Sequence, residues 1–168
     1  MNGIAVYSDA SHRKTSIGVG AVISYRGADL PVGGFISGRF TTVEAEILAL
    51  LHAIDAVSGF VKSPSLRSLA PITLKTHFVF YTDFKLIPDY LYGNAEPKDR
   101  QVRALLKQLI RDLDLLKQEG FLWRVDPIKS GTNPADRCAK EAHDRWLQRK
   151  ISRIPMPRKS DPKASGRS

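Results

Sequence analysis

Short apolar runs with a two-residue period open this chain, and longer runs with a helical period follow. The first run, residues 4–9, is apolar at both phases of the period, which predicts a central strand that is covered on both faces. A polar loop, residues 10–16, separates it from residues 17–23, where every odd position is apolar and two of the others are glycine. Turn residues at 26–29 lead to a third predicted strand at 30–36. The chain therefore begins as a three-stranded antiparallel meander.

The helical pattern starts at Thr41, which forms a predicted capping box with Glu44 and opens a helix to about Val57. A long loop, Ser58–Thr76, is predicted next because it contains prolines, serines and scattered basic residues. The remaining predicted elements, in chain order, are a strand at His77–Thr82, a short helix at Phe84–Tyr92, an amphipathic helix at Asp99–Gln118, a strand at Phe121–Val125, and a helix from Asn133 to about Lys150.

This order predicts an α/β fold with a five-stranded mixed sheet. Three strands form the antiparallel meander, two further strands run parallel through helical connections, and helices flank the sheet. A doubly wound sheet is excluded, because it requires a helix directly after the first strand. We expect one domain over residues 1–150 and a basic, disordered tail over residues 151–168.

Four acidic residues lie at special places in this pattern. Asp9 and Asp83 come where two apolar strands end, in the similar stretches Tyr-Ser-Asp and Tyr-Thr-Asp. Glu46 lies three residues after Val43, which places it beside the buried stripe of its helix. Asp136 lies in the first turn of the last helix.

Each of the four has a structural alternative. The two aspartates could end their strands by accepting hydrogen bonds from turn amides. The aliphatic part of the Glu46 side chain could cover the core, and Asp136 could interact favourably with the helix dipole.

If the two aspartate-bearing strands are parallel neighbours, however, both carboxylates leave the sheet at the same edge, within reach of Glu46 and Asp136. Carboxylates that close repel each other strongly, and divalent cations relieve that repulsion. An all-oxygen set suits Mg²⁺ or Mn²⁺, and two such ions about 4 Å apart promote phosphodiester hydrolysis.

The charge distribution points to a nucleic-acid partner. The net charge is +9, and residues 145–168 contribute eight Lys or Arg against one Asp, or +7, which leaves +2 for the rest. A basic tail of this kind adds salt-dependent affinity for phosphate backbones, although a solubilising role is an equal alternative.

The single cysteine, Cys138, excludes an internal disulfide, and no apolar run is long enough to span a membrane. With no signal-peptide pattern at the N-terminus, we expect a cytoplasmic protein. We also expect it to be a monomer.

The sequence resembles the type 1 ribonuclease H family, whose fold also occurs in the ribonuclease H domains of reverse transcriptases. The resemblance covers residues 4–148 and rests on five short motifs in the family's order and spacing: Tyr-Ser-Asp-Ala-Ser at 7–11, Gly-Val-Gly-Ala-Val at 18–22, Ala-Glu-Ile-Leu-Ala-Leu at 45–50, Tyr-Thr-Asp at 81–83, and Asn-Pro-Ala-Asp-Arg-Cys-Ala at 133–139.

The resemblance implies a site and a substrate. It implies that two Mg²⁺ ions are bound by Asp9, Glu46, Asp83 and Asp136, and that the substrate is the RNA strand of an RNA–DNA hybrid. It also places six positions where substrate would be contacted: Ala10, Ser11, Thr42, Phe84, Lys129 and Asn133.

Three positions depart from the family pattern. Phe84 replaces the usual serine, Thr42 replaces an asparagine, and the loop before Asp136 has no histidine, with Lys129 as its only charge. We therefore expect a metal-dependent endonuclease (a hydrolase) acting on RNA–DNA hybrids. Two alternatives are a ribonuclease H fold whose catalysis has weakened, kept as a nucleic-acid-binding module, and a nuclease of this fold with another nucleic-acid substrate.

Overall fold

The computed structural model describes residues 3–63 and 76–152, with side chains described up to residue 150. Within these ranges the elements are, in chain order, β1 (Gly3–Arg13), β2 (Ser16–Tyr25), β3 (Ala28–Ser37), α1 (Thr42–Lys62), β4 (His77–Thr82), α2 (Leu86–Leu91), α3 (Arg100–Gln118), β5 (Leu122–Pro127) and α4 (Ala135–Ser152).

The five strands form one mixed sheet in the order β3-β2-β1-β4-β5. Strand β1 pairs antiparallel with β2 and parallel with β4, β2 pairs antiparallel with β3, and β4 pairs parallel with β5. The predicted fold class, a meander of three strands extended by two parallel strands, is confirmed. Strand β1 lies at the centre, as its apolar pattern predicted.

The polar loop predicted at residues 10–16 is mostly strand, so that prediction is wrong. Strand β1 continues to Arg13 and β2 begins at Ser16, which leaves a turn of two residues. The pairing continues from Ala10 opposite Val19 to Arg13 opposite Ser16. Backbone hydrogen bonds hold this extension, and they require no apolar side chains, so the hydrophobic pattern did not reveal it.

Helix α1 begins as predicted and ends later than predicted. Thr41 is its N-cap, and the capping box with Glu44 is present. The helix continues past the predicted end at Val57 to Lys62, because Phe60 and Val61 extend the buried stripe by another turn. Packing of these two side chains outweighs the low helix propensity of the Ser-Gly pair before them. The first residues of the predicted Ser58–Thr76 loop are therefore helical, and residues 64–75 of that loop lie outside the described residues.

The other elements lie close to their predicted bounds. Asp99 caps α3 by accepting hydrogen bonds from the backbone N–H groups of the next turn, at 2.7 and 2.9 Å. The apolar stripe of α3 packs into the main core through Leu106, Leu109, Leu113 and Leu116. Residues 153–168, which include most of the predicted tail, lie outside the described residues, and the domain boundary at residue 150 stays a prediction. No helix in the described ranges has the length and apolar character needed to cross a membrane.

Helices cover both faces of the sheet. Helices α1 and α3 pack on the face that carries the main core, and α4 packs on the other face. Two glycines of β2 allow α4 to lie directly on the sheet: a Cβ at Gly18 would lie 2.2 Å from the carbonyl oxygen of Ala139, and one at Gly20 would lie 2.5 Å from that of Ala135. The absence of side chains at these two positions therefore lets the backbones of β2 and α4 approach each other closely, which fixes where α4 begins.

Candidate metal site

Asp9 and Asp83 lie side by side because β1 and β4 are parallel neighbours. The pairing of the two strands has a constant offset of 74 residues, from Gly3 beside His77 to Tyr7 beside Tyr81. The same offset carried two residues further places Asp9 beside Asp83, at the edge where β4 ends. The register alone therefore brings the two carboxylates together.

Glu46 reaches the same place from helix α1. Its helix is held against the sheet by buried residues on either side of it in sequence, Ala45 and Ile47. Glu46 itself is only 7% exposed, and its carboxylate oxygen lies within a group formed with Asp9 and Asp83 in which the ligand atoms are all within 4.8 Å of one another. The sequence prediction that these three carboxylates converge is confirmed by this geometry.

The electrostatic consequence is large for the two most buried acids. Burial, together with the neighbouring carboxylate of Asp83, raises the pKa of Asp9 from its ordinary value of 3.8 to about 7. Burial and the carboxylates of Asp9 and Asp83 raise the pKa of Glu46 from 4.5 to about 8. The N–H of Ala10 opposes part of this for Asp9, since it donates a 2.9 Å hydrogen bond to Oδ1 of that residue.

Asp136 lies next to this group but outside it. It is close enough to Asp9 to raise the pKa of that residue by its charge and by a hydrogen bond. Its side chain is 49% exposed, and Oδ2 accepts a 2.8 Å hydrogen bond from Nζ of Lys140, one helical turn further on. Of the four predicted carboxylates, three therefore form a tight group, and the fourth lies beside Asp9 with a lysine partner of its own.

Lys140 was missed in the sequence analysis. Its spacing of four residues from Asp136 on a predicted helix was the available signal, because residues at this spacing lie on the same helix face. The ion pair raises the pKa of Lys140, as hydrogen bonding and charge from Asp136 favour its protonated form, and Asp9 contributes in the same direction.

Asn133 has a structural function in the site. Its side chain is buried, donating a 2.7 Å hydrogen bond from Nδ2 to the carbonyl oxygen of Ser8 and accepting a 3.1 Å hydrogen bond at Oδ1 from the N–H of Ala135. The second bond caps helix α4, as predicted for an asparagine at this position. The first ties the start of α4, which carries Asp136, to the residue just before Asp9.

The other predicted substrate contacts lie around the carboxylates in different environments. Ala10 and Ser11 continue β1 past Asp9, Thr42 is exposed in the first turn of α1, and Lys129 is exposed. Phe84 follows Asp83 but packs partly against the main core. These contacts with substrate stay predictions. The side chains of Ala10, Phe84 and Asn133 also make contacts inside the protein.

The donor set fits a divalent cation. It consists of carboxylate oxygens, which hard divalent ions prefer. Among the described residues no ion pair joins Asp9, Glu46 or Asp83 to a basic side chain, and Oε2 of Glu46 is buried with no hydrogen-bond partner. An unpartnered carboxylate oxygen next to two further acids is unfavourable in a metal-free protein. A cation bound between the three carboxylates would reduce their mutual repulsion and would give Oε2 of Glu46 a partner.

Comparison with known proteins places this arrangement in a known fold. No protein-family model and no curated protein sequence matches the chain. Among solved structures, the chain is similar to the RNase H1 of the halophilic archaeon Halobacterium salinarum, with 26% identity, a TM-score of 0.63, and coverage of 85% of this chain and 98% of that one. It is also similar to LC11-RNase H1, isolated from compost by a metagenomic approach, with 23% identity, a TM-score of 0.67, and coverage of 88% and 99%.

A structure of LC11-RNase H1 in complex with an RNA/DNA hybrid matches as well, with 21% identity, a TM-score of 0.67, and coverage of 86% of this chain and 99% of that one. These matches span most of both chains, and they confirm the resemblance to the type 1 ribonuclease H family that the sequence motifs indicated.

Proposed function

We propose that this chain, which has the fold of the type 1 ribonucleases H, is a metal-dependent endonuclease that hydrolyses the RNA strand of RNA–DNA hybrids. The observation that carries this is the group of three carboxylates within 4.8 Å of one another at the edge of the sheet, which form no ion pair with any basic side chain in the described ranges 3–63 and 76–150. The structural similarity to RNase H1 proteins, one of them bound to an RNA/DNA hybrid, supports the substrate.

Asp9, Glu46 and Asp83 would hold the metal, with Asp136 beside them. We assign Mg²⁺, with Mn²⁺ as a substitute, and two ions, because the ligands are all oxygen and the reaction class is phosphodiester hydrolysis. When bound, the ions activate water and stabilise the leaving oxygen.

The residues of the chain prepare this site in three ways. The N–H of Ala10 fixes one oxygen of Asp9, Asn133 fixes the start of α4 relative to the end of β1, and Lys140 orients Asp136. Burial and neighbouring carboxylates raise the pKa of Asp9 to about 7 and that of Glu46 to about 8, and only the ionised forms bind a cation, so cation binding competes with protons near neutral pH. The apparent metal affinity is therefore expected to rise with pH up to about 8.

The test is cleavage of an end-labelled hybrid in Mg²⁺ or Mn²⁺ by the wild type and by Asp9→Asn and Asp83→Asn. We expect cleavage by the wild type and background levels for both variants, since each replaces a charged ligand in the group. Asp114→Asn, which removes an exposed carboxylate on α3, is the matched control and should cleave normally. A folded wild type that leaves the hybrid intact at high enzyme concentration contradicts the proposal.

The second candidate is a binding module with weakened catalysis. It is favoured by the loop before Asp136, where the carbonyl of Lys129 accepts hydrogen bonds from both N–H and Oγ1 of Thr132, closing a short turn that contains no histidine. This candidate predicts hybrid binding without turnover. Duplex RNA, duplex DNA and single strands, assayed beside the hybrid, distinguish it from the third possibility, a nuclease with another substrate. That the protein is monomeric and cytoplasmic stays a prediction, which light scattering and cell fractionation would test.

A further inference from the structure

A second charged site lies at the turn between β1 and β2, away from the carboxylates. An open cavity of about 390 Å³ is bounded by that turn, by the end of β3 and by the second half of α4. We call it the turn cavity, and its polar and aromatic lining includes Arg13, Lys14, Ser37, His143, Trp146 and Lys150.

Two hydrogen bonds, one of them buried, fix the framework of the turn cavity. The hydroxyl of Ser16, at the start of β2, lies 3.0 Å from Nε2 of His143 on α4, and both residues are buried. The N–H of Gly38 donates a 2.9 Å hydrogen bond to the carbonyl oxygen of Thr15, which ties the turn to the end of β3. The turn therefore has a defined position against α4, and the cations that it carries are held at one end of the helix.

The cations of the turn cavity have little acidic compensation. Arg13 lies 3.9 Å from Asp144, but both side chains are more than half exposed, so this pair contributes little and Arg13 is able to contact a ligand. Nζ of Lys150 lies 5.0 Å from the centre of the Trp146 ring. Among the described residues Lys14 has no acidic partner.

The positive charge continues beyond the turn cavity. Trp146, which stacks on Phe35 with ring centres 3.9 Å apart, also borders a second cavity whose lining includes Arg145 and Arg149. Arg145 shares Glu141 with another arginine. Beyond Ser152 the sequence continues with five Lys or Arg and one Asp over residues 153–168. The basic residues that line both cavities and those of the following segment thus carry charge of the same sign.

We propose that the turn cavity binds phosphate groups of a nucleic-acid backbone, as a contact separate from the carboxylate site. Two lysines and an arginine supply the charge, and the exposed hydroxyl of Ser37 supplies a donor, which are the groups that typically contact phosphate oxygens. Lys150 already covers the free face of Trp146, so the cavity offers no stacking surface for a base. It therefore recognises the backbone and not the sequence.

The separation of the two sites sets the length of nucleic acid that is able to reach both. Asp136 and Lys150 are 14 residues apart on α4, which corresponds to about 21 Å along the helix. A duplex rises about 3.4 Å per base pair, so roughly six base pairs separate a phosphate at one site from a phosphate at the other. This inference rests on the proposed function only in taking a nucleic-acid duplex as the ligand; it does not require cleavage.

The test is a binding measurement with the full chain in EDTA, where no cleavage occurs. Fluorescence anisotropy of a labelled 20-base-pair RNA–DNA hybrid, over a range of salt concentrations, gives the affinity and its salt dependence. Lys14→Gln/Lys150→Gln removes two charges from the turn cavity. Lys62→Gln/Lys117→Gln, at the C-terminal ends of α1 and α3, removes the same charge elsewhere and is the matched control.

We expect the turn-cavity variant to bind the 20-base-pair hybrid more weakly and to lower the slope of log K against log salt by about 1.8, or 0.9 for each lost phosphate contact. The control variant should retain the wild-type slope. Equal losses in the two variants, or none in either, would overturn the proposal.

Two further arms identify the ligand. In competition with the labelled hybrid, inorganic phosphate at the same total phosphate concentration should displace it poorly, because inorganic phosphate lacks linked phosphates. If inorganic phosphate displaces the hybrid as strongly as unlabelled duplex does, the cavity is a free-phosphate site and the backbone assignment is overturned. Polyglutamate that competes as well as duplex at equal charge would show an acidic-polypeptide site and overturn it too. Loss of cleavage activity with binding intact would count against the proposed function and leave this inference standing.

Discussion

Replacing Glu46 by Gln should stabilise the metal-free protein at alkaline pH. In the folded wild type the pKa of Glu46 is about 8, compared with 4.5 for the ordinary side chain. Because the raised pKa means that the folded state holds a proton which the unfolded state has released, stability falls as the pH rises from about 4.5 to about 8. A pKa difference of this size corresponds to about 5 kcal/mol, which is a large part of the 5–15 kcal/mol typical of a domain.

Asp9 adds a loss of the same sign over a lower range of pH. Its pKa of about 7, against 3.8, corresponds to about 4 kcal/mol, lost between about pH 4 and pH 7. The two groups are close together and titrate as a pair, so their contributions do not simply add. Gln at position 46 removes the titration of Glu46 and its repulsion with Asp9, and it leaves the burial and the charge of Asp83 that raise the pKa of Asp9.

The assay is urea denaturation in EDTA at pH 5 and pH 9 for the wild type, Glu46→Gln and Glu96→Gln. The last variant removes an exposed glutamate and is the control for loss of one carboxylate. Because pH 5 lies above the ordinary pKa of 4.5, the part lost between pH 5 and pH 9 is about 4 kcal/mol, and we expect the stability difference between the two pH values to be smaller by this amount in Glu46→Gln than in the other two proteins. Mg²⁺ at 100 times its dissociation constant should then raise the free energy of unfolding of the wild type by about 2.7 kcal/mol. It should not stabilise Glu46→Gln.

Two results would refute this reasoning. If Glu46→Gln has the same pH dependence as the wild type, then Glu46 is not a buried carboxylate with a raised pKa. If Mg²⁺ stabilises the wild type and Glu46→Gln equally, then Glu46 is not a metal ligand.

Three other substitutions test the framework around the site. Asn133→Ala should destabilise the protein by about 1–3 kcal/mol, because it removes the hydrogen bond that Asn133 donates to the carbonyl of Ser8. It should also lower kcat more than it changes hybrid affinity, and unchanged kinetics would show that Asn133 does not position the site. Gly20→Ala should destabilise by several kcal/mol and lower activity, since its Cβ would lie 2.5 Å from the backbone of α4, and normal activity would show that α4 shifts freely. Gly59→Ala, with open space around it inside helix α1, should instead stabilise by about 0.5–1 kcal/mol in thermal unfolding.

The fold and the three converging carboxylates were predictable because each follows from a strong local pattern. The apolar run before Asp9 and the one before Asp83 identified buried strands, and parallel pairing of two such strands fixes where their ends meet. The position of Glu46 beside the apolar stripe of α1 placed it on the face of the helix that meets the sheet. No side-chain detail was needed for any of these steps.

The parts that sequence did not reveal depend on energies that hydrophobic periodicity does not record. Strand β1 extends over the polar residues up to Arg13 because backbone pairing with β2 is sufficient there. Helix α1 extends beyond Val57 because Phe60 and Val61 are buried in the core, which outweighs the low helix propensity of the Ser-Gly pair that precedes them. The pairing of Asp136 with Lys140, and the use of Asn133 inside the protein, depend on side-chain geometry that spacing alone leaves open.

The site combines poor electrostatic stability with strong mechanical support. Two of its acids are less than 10% exposed and keep their protons near neutral pH, so the metal-free site opposes folding whenever these acids ionise. The surrounding contacts are what hold them there: the paired strands that carry Asp9 and Asp83, and the buried helix face that carries Glu46. A protein selected for stability alone would replace these acids by apolar or amide side chains. A bound cation would recover the stability that the fold gives up at this one edge, and this is the strongest physical reason to regard the group as a metal site.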